Sequence, residues 1–229
     1  MMEKVNFLGL DLVSASYNEV LSEIFIYLTA DFKETRFVFT PNNEIYVEAS
    51  QNSKFKEALQ SAWLNLPDST GVKLASGVKQ RLTGVDMTMR FLAQNKDFKV
   101  FLLGGADGVA KEVASRYENI VGYSSAPASD VGLVDEIVSS GAEVLFVAFG
   151  APKQELWLAE NVAKLKGVKL AFGVGGTFDF IVGKQKRAPW VMRKLGLEWL
   201  FRFYKNPKRA KRMYNALVKF PILVMKNKV

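Results

Sequence analysis

The chain has 229 residues, 49% of them apolar and 24% charged, with neither cysteine nor histidine. That is the balance of a folded globular protein that buries a sizeable core without cross-links. It excludes disulfides, thiolate nucleophiles, cysteine-ligated zinc and any Ser-His-Asp triad.

Any general base must then be a carboxylate or something rarer, and a transition-metal site would be all-oxygen. The net charge of +8 is unevenly placed: residues 184–229 carry +13, with Glu198 as their single acid, and residues 1–183 carry −5. A mildly acidic body with a basic tail points to an anionic partner. No run reaches the ~18 consecutive apolar residues of a spanning helix. Residues 1–13 lack the basic-then-apolar form of a signal peptide. The expectation is a cytoplasmic protein, neither secreted nor integral.

In chain order, residues 36–40 are short, β-branched and aromatic and read as a strand. Residues 43–59 follow as a helix. Residues 99–103, 143–149 and 168–174 are near-continuous apolar runs ending at glycine, the pattern of strands buried on both faces. Between them lie predicted helices at 107–117, with Asp107 as N-cap, and at 152–166, which opens on proline and stops at Gly167. This alternation predicts an α/β fold with a mostly parallel sheet and helices on both faces. Ligands in such sheets bind at the carboxyl ends of the strands, where Thr40, Gly104, Gly150 and Gly175 fall. From residue 196 the pattern changes to a basic, amphipathic helical appendage, with a helix at 208–220 bracketed by Pro207 and Pro221. The division is therefore a body, 1–195, and an appendage, 196–229.

Several loops carry chemistry. Gly104 and Gly105 join a strand to a helix, which suits either a phosphate at the helix N-terminus or a tight turn. Gly173-Val-Gly-Gly-Thr-Phe-Asp179 packs Gly175, Gly176, Thr177 and Asp179 into seven residues after a strand, which favours a ligand against the backbone. Gly150-Ala-Pro-Lys-Gln-Glu155 opens a helix; Gln154 either reaches the same crevice or is solvated, with Glu155 as a first-turn dipole partner. Asp68 suits a turn or cap, yet in a histidine-free chain it is also the natural general base. Arg81 pairs with a substrate phosphate or with Asp86. No Asp-x-Asp motif is present, so the expected chemistry needs no metal, with leaving-group charge met by arginines and amides. Arg202, Lys205, Arg209 and Arg212 share one helical face, interleaved with aromatic residues. That mixture suits the headgroups of an anionic bilayer and would also suit nucleic acid.

Eight stretches in order resemble the WecG/TagA/CpsF glycosyltransferases. They are Thr40-Pro-Asn-Asn-Glu44, Asp68-Ser-Thr-Gly71, Arg81-Leu-Thr-Gly-Val-Asp86, Phe101-Leu-Leu-Gly-Gly105, Gly150-Ala-Pro-Lys-Gln-Glu155, Gly173-Val-Gly-Gly-Thr-Phe-Asp179, Arg187-Ala-Pro189 and Gly196-Leu-Glu-Trp199. The resemblance implies an inverting, metal-independent transferase on a Rossmann-like sheet, without a cofactor. Its best-known members move N-acetylmannosamine from UDP to undecaprenyl-diphospho-N-acetylglucosamine in teichoic-acid linkage synthesis. It implies Asp68 as the base, Thr40 and Gln154 near the transferred sugar, and Arg81 as a further active-site cation. The matched motifs add Asn42, Asn43, Thr83 and Asp86 as substrate-binding candidates, and Arg202, Arg209 and Arg212 as groups that meet the diphosphates when the tail folds over the site. Partners follow: a UDP-sugar donor, a polyprenyl-diphosphate-linked acceptor, an anionic membrane at the inner face, and a second copy whenever the aromatic tail leaves the membrane. Nucleic acid is disfavoured by the glycine-rich strand ends. Other UDP-sugar donors and a non-catalytic nucleotide-binding module are the alternatives. One position departs from the family, Ser69 in place of its usual glycine; if that glycine serves φ > 0, Asp68 is displaced here.

Overall fold

The computed structural model describes residues 2–30, 34–106, 108–205 and 210–227, with only the backbone of Lys194, Arg202 and Lys205 described. The chain begins as a hairpin, β1 (Lys4–Phe7) and β2 (Leu10–Val13), whose turn residues Leu8 and Gly9 both have positive φ. A capping box between Ser16 and Glu19 starts α1 (Tyr17–Thr29). Next come β3 (Arg36–Phe39), α2 (Asn43–Ala49), α3 (Ser53–Gln60), β4 (Leu64–Asn65), α4 (Thr70–Ser76) and α5 (Gly84–Gln94). The second half alternates more regularly: β5 (Val100–Gly104), α6 (Val109–Ala114), β6 (Ile120–Ser124), α7 (Leu133–Ser139), β7 (Val144–Ala148), α8 (Lys153–Asn161), β8 (Leu170–Gly173) and α9 (Thr177–Ile181). The body closes with α10 (Trp190–Lys194), and the tail holds α11 (Glu198–Lys205), α12 (Ala210–Tyr214) and α13 (Phe220–Lys226).

The eight strands form one sheet in the order β1-β2-β4-β3-β8-β7-β5-β6, parallel throughout except at the β1–β2 hairpin. This is a Rossmann-like α/β fold, as the sequence predicts. Strand alternation divides the core in two. Phe37, Phe39, Phe101, Leu145 and Ala171 face α2, α3, α7 and α8. Val38, Leu102, Phe146 and Phe172 face α1, α5, α6 and α9. In the second layer Phe91 of α5 stands 5.6 Å from both the Phe146 and Phe172 rings, which stack 4.7 Å apart.

Two predicted helices differ from those observed. The helix expected at 43–59 is two, because the Asn52 side chain accepts the Phe55 N–H at 3.1 Å and starts α3 afresh. The helix expected at 152–166 ends at Asn161 and continues only as a 3₁₀ turn, Val162–Lys164. Asp107, the expected cap of the helix at 107–117, lies outside the described residues, and α6 begins after Gly108 at φ 77°.

Pro221 does not end the tail helix. It sits in the first turn of α13, and a π-helical turn (Asn215–Lys219) joins α12 to it. Proline lacks the N–H of the α pattern and its ring crowds the carbonyl four residues back. The wider turn absorbs that conflict, with the Phe220 N–H bonding the Asn215 carbonyl five residues back. Phe220 and Val224 are buried against the body, with the Phe220 ring 6.0 Å from Tyr46 and 6.4 Å from Phe7. The π turn and α13 are thus packed on α2.

Candidate active site

A cavity of about 780 Å³ opens at the carboxyl ends of β3, β4, β7 and β8, closed on its far side by α11, α12 and the π turn. Thr40, directly after β3, lines it, and a Cβ on Gly84 would lie 3.2 Å from the Thr40 side chain. Glycine there lets the start of α5 approach β3 closely. Asp68, after β4, also lines the cavity, and its Oδ1 accepts the Gly84 N–H at 3.1 Å. Its own N–H donates to the Pro41 carbonyl at 3.1 Å. Ser69 caps α4 at φ −119°, accepting the Val72 N–H. The position after Asp68 is extended backbone here, so serine in place of glycine imposes no strain at this point.

Asn42 and Asn43 line the cavity and hold its frame. Asn42 caps α2, accepting N–H bonds from Glu44 and Ile45. Asn43 accepts the Ser69 hydroxyl at 2.6 Å and donates to the Ala216 carbonyl at 2.9 Å, tying the Asp68 loop to the tail. Gly71 gives Asn43 its space, since a Cβ there would lie 2.5 Å from it.

Arg81 does not pair with Asp86. It faces Glu198 of α11 at 3.7 Å. Asp86 is gripped by the Arg187 guanidinium through two hydrogen bonds of 3.0 and 3.2 Å and accepts the Thr83 hydroxyl at 2.6 Å. Burial works to raise the Asp86 pKa, but the Arg187 and Thr83 hydrogen bonds outweigh it and hold it below the usual value. The Arg187 Nε also lies 3.8 Å from Glu198. Glu198, the single acid of residues 184–229, thus stands between two arginines of the cavity wall.

Gln154 is buried, not solvated. Its Oε1 accepts N–H bonds from Gly150 (3.1 Å) and Gly175 (3.0 Å), joining the loops after β7 and β8. Its Nε2 donates to Oε1 of Glu155 at 2.9 Å. Glu155 is 0% exposed, and burial pushes its carboxyl up to about 7, only partly offset by the Gln154 hydrogen bond. The Thr177 hydroxyl donates to the Val174 carbonyl and shapes the loop after β8.

Gly104, Gly105 and Asp179 line a second cavity of about 300 Å³ with Ser125 and Phe149. It adjoins the larger one, and Gly175 and Gly176 border both. The expected single crevice is therefore two chambers sharing a glycine wall. Arg212 lines the larger chamber and is ion-paired with Glu44 of α2. Arg209 and the side chain of Arg202 lie outside the described residues.

Sequence reasoning did not place Arg187, Glu155 or Glu198 in the site. Arg187 lay within a recognised motif, and Glu198 was the one acid in a basic tail; both signals were present without a partner to interpret them. Chemically, the arrangement offers one half-buried carboxylate at a strand end, several cations with their counter-charges, and loops of exposed backbone amide.

The chain matches the glycosyl transferase WecG/TagA/CpsF family over residues 5–229. It is similar to N-acetylglucosaminyldiphosphoundecaprenol N-acetyl-beta-D-mannosaminyltransferases from three bacteria. The identity is 34% with the Bacillus spizizenii protein, covering 86% of this chain and 81% of that one. It is 32% with the Bacillus subtilis protein (91% and 88%) and 29% with a Staphylococcus aureus protein (92% and 88%). With matched motifs lining a cavity at the strand ends of a Rossmann-like sheet, the chain belongs to the WecG/TagA/CpsF family of glycosyl transferases.

Proposed function

We propose that this protein transfers N-acetylmannosamine from its UDP ester to a polyprenyl-diphosphate-linked N-acetylglucosamine, with inversion at the anomeric carbon. The observation that carries the reading is Asp68: a carboxylate held by the Gly84 N–H, opening on a cation-lined cavity at the strand ends. The names of the relatives support the transferred sugar and the acceptor.

In this mechanism Asp68 takes the proton of the acceptor hydroxyl as its oxygen bonds to the anomeric carbon. The bond from that carbon to the UDP oxygen breaks in the same displacement, and UDP leaves with the electron pair. Arg81, Arg187, Lys211 and Arg212 lie where diphosphate charge is to be met. The smaller chamber, with Gly104 and Gly105, offers the nucleoside a bed beside the sugar, reached past Gly175. Exposed Trp190, Leu195, Leu200 and Tyr204 beside the basic tail give an anionic bilayer a surface to hold, so that acceptor arrives from that side. Among the described residues no helix is long and apolar enough to cross a membrane.

The test is a panel of UDP-sugars with a short-chain lipid acceptor. UDP release from UDP-N-acetylmannosamine only when acceptor is present supports the reading. Acceptor-dependent release from a different UDP-sugar alone reassigns the donor, and release from none contradicts the enzyme reading. Sedimentation with phosphatidylglycerol vesicles, weakened by salt and absent with neutral vesicles, tests the membrane surface.

A further inference from the structure

The amide of Gln154 has a fixed polarity that its surroundings dictate. A carboxamide has an oxygen with two lone pairs and a nitrogen with two N–H donors. Two backbone N–H groups, from Gly150 and Gly175, converge on one side, so the oxygen must face them. The carboxyl group of Glu155 lies on the other, so the nitrogen must face it. Both lone pairs of Oε1 and one hydrogen of Nε2 are thereby used. Nε2 has no second partner among the described residues, and Gln154 lines the main cavity. A Cβ on Gly173 would lie 2.8 Å from Nε2, so the strand end is glycine where this amide passes.

Glu155 has no other assignment. It is fully buried on α8, and its second oxygen, Oε2, lacks a hydrogen-bond partner among the described residues. Burying a carboxyl group with half its capacity unmet is costly, and a first-turn acid does not need burial to serve the helix. The return lies in the amide it orients.

Resting on the function proposed above, we propose that Glu155 is a positioning residue: it holds the Gln154 amide so that Oε1 clamps the loops after β7 and β8 and Nε2 presents one N–H donor, and no acceptor, to the bound sugar. Gln154 then recognises an acceptor oxygen of the sugar or its glycosidic link. A substrate offering only a donor there finds no partner.

The test exchanges the two chemistries and reads two signals: amide hydrogen exchange at Gly150 and Gly175, and UDP release from UDP-N-acetylmannosamine with a short-chain lipid acceptor. Gln154→Glu keeps an oxygen for the two glycine N–H groups, and a proton shared between the two carboxyl groups takes the place of the Nε2 hydrogen bond, but no N–H faces the sugar. Amide protection should be retained while kcat falls roughly 10- to 100-fold. Glu155→Leu removes the acceptor that fixes the amide, so both glycine amides should exchange at least roughly tenfold faster, and kcat should fall with them. Glu155→Gln keeps an acceptor oxygen and should protect both amides as the wild type does. If Glu155→Leu does not fold, Glu155→Met replaces it. Unchanged protection in the folded variant that lacks the acceptor overturns the clamp, and full activity in Gln154→Glu overturns the donor role. A wild-type protein that releases no UDP from any donor sinks the functional reading instead, and the exchange data still decide the clamp.

Discussion

The backbone N–H of Gly84 reaches Oδ1 of Asp68 across 3.1 Å, so the first residue of α5 steers the carboxylate that follows β4. A residue sixteen places away thus helps to position Asp68. A methyl group at residue 84 would lie 3.2 Å from the Thr40 side chain, tighter than ordinary contact. Gly84→Ala should shift α5 by a few tenths of an ångström and lower kcat roughly tenfold. Its melting temperature should change little. Steady-state kinetics beside a thermal melt check both.

The Asp86–Arg187 pair has a definite pH signature. Its contacts lower the Asp86 pKa in the folded state, so the stabilisation is fully present above the ordinary carboxylate range and is lost as pH falls through the depressed folded value. Asp86→Asn should cost roughly 2 kcal/mol at neutral pH, the scale of a charge-assisted hydrogen bond. Urea denaturation of both proteins from pH 7 down to pH 3 should show that deficit shrinking.

Glu155 acts in the opposite sense. Its carboxyl is raised from 4.5 to about 7 by burial, so the folded state holds a proton that the unfolded chain has released. Stability from this group is highest below the unfolded pKa, falls as pH rises between the two values, and is level above them. Glu155→Gln has no such term. Its stability relative to wild type should rise by roughly 2 to 3 kcal/mol between pH 5 and pH 8. Denaturation midpoints at the two pH values measure it.

Phe220 anchors the tail on α2 through Tyr46 and Phe7. Replacing a buried phenylalanine with alanine costs roughly 3–5 kcal/mol of the packing it makes. Phe220→Ala should therefore release α12 and α13, seen as faster hydrogen exchange in residues 210–226 with the sheet unchanged. Since Lys211 and Arg212 line the cavity, transfer should fall with it.

Of the four strands that build the centre of the sheet, β5, β7 and β8 were legible as near-continuous apolar runs ending at glycine, and β3 as a short β-branched and aromatic run. β4 was not: Leu64–Asn65 is too short to carry a period, and only its neighbours β2 and β3 make it a strand. The β1–β2 hairpin and the edge strand β6 were also passed over. In β6, Ile120–Ser124 alternates between half-buried and exposed residues and never forms an apolar run. The tail read as a helix stopped by Pro221, because a π turn that accommodates proline leaves no mark in a sequence pattern. In the site, the glycine loops and Asp68 were legible because their chemistry is local. The Asp86–Arg187 pair spans 101 residues, and the burial of Glu155 depends on what packs over α8, so neither follows from spacing.

The central claim is that Asp68 removes the acceptor proton. It is tested most directly by single-turnover transfer from UDP-N-acetylmannosamine to a short-chain lipid acceptor, comparing Asp68→Asn with wild type at saturating substrate. Asparagine keeps an oxygen for the Gly84 N–H but has no basic carboxylate. The account predicts that UDP affinity is retained while the transfer rate falls by roughly 10²- to 10⁴-fold. A folded Asp68→Asn protein that transfers sugar at the wild-type rate contradicts it.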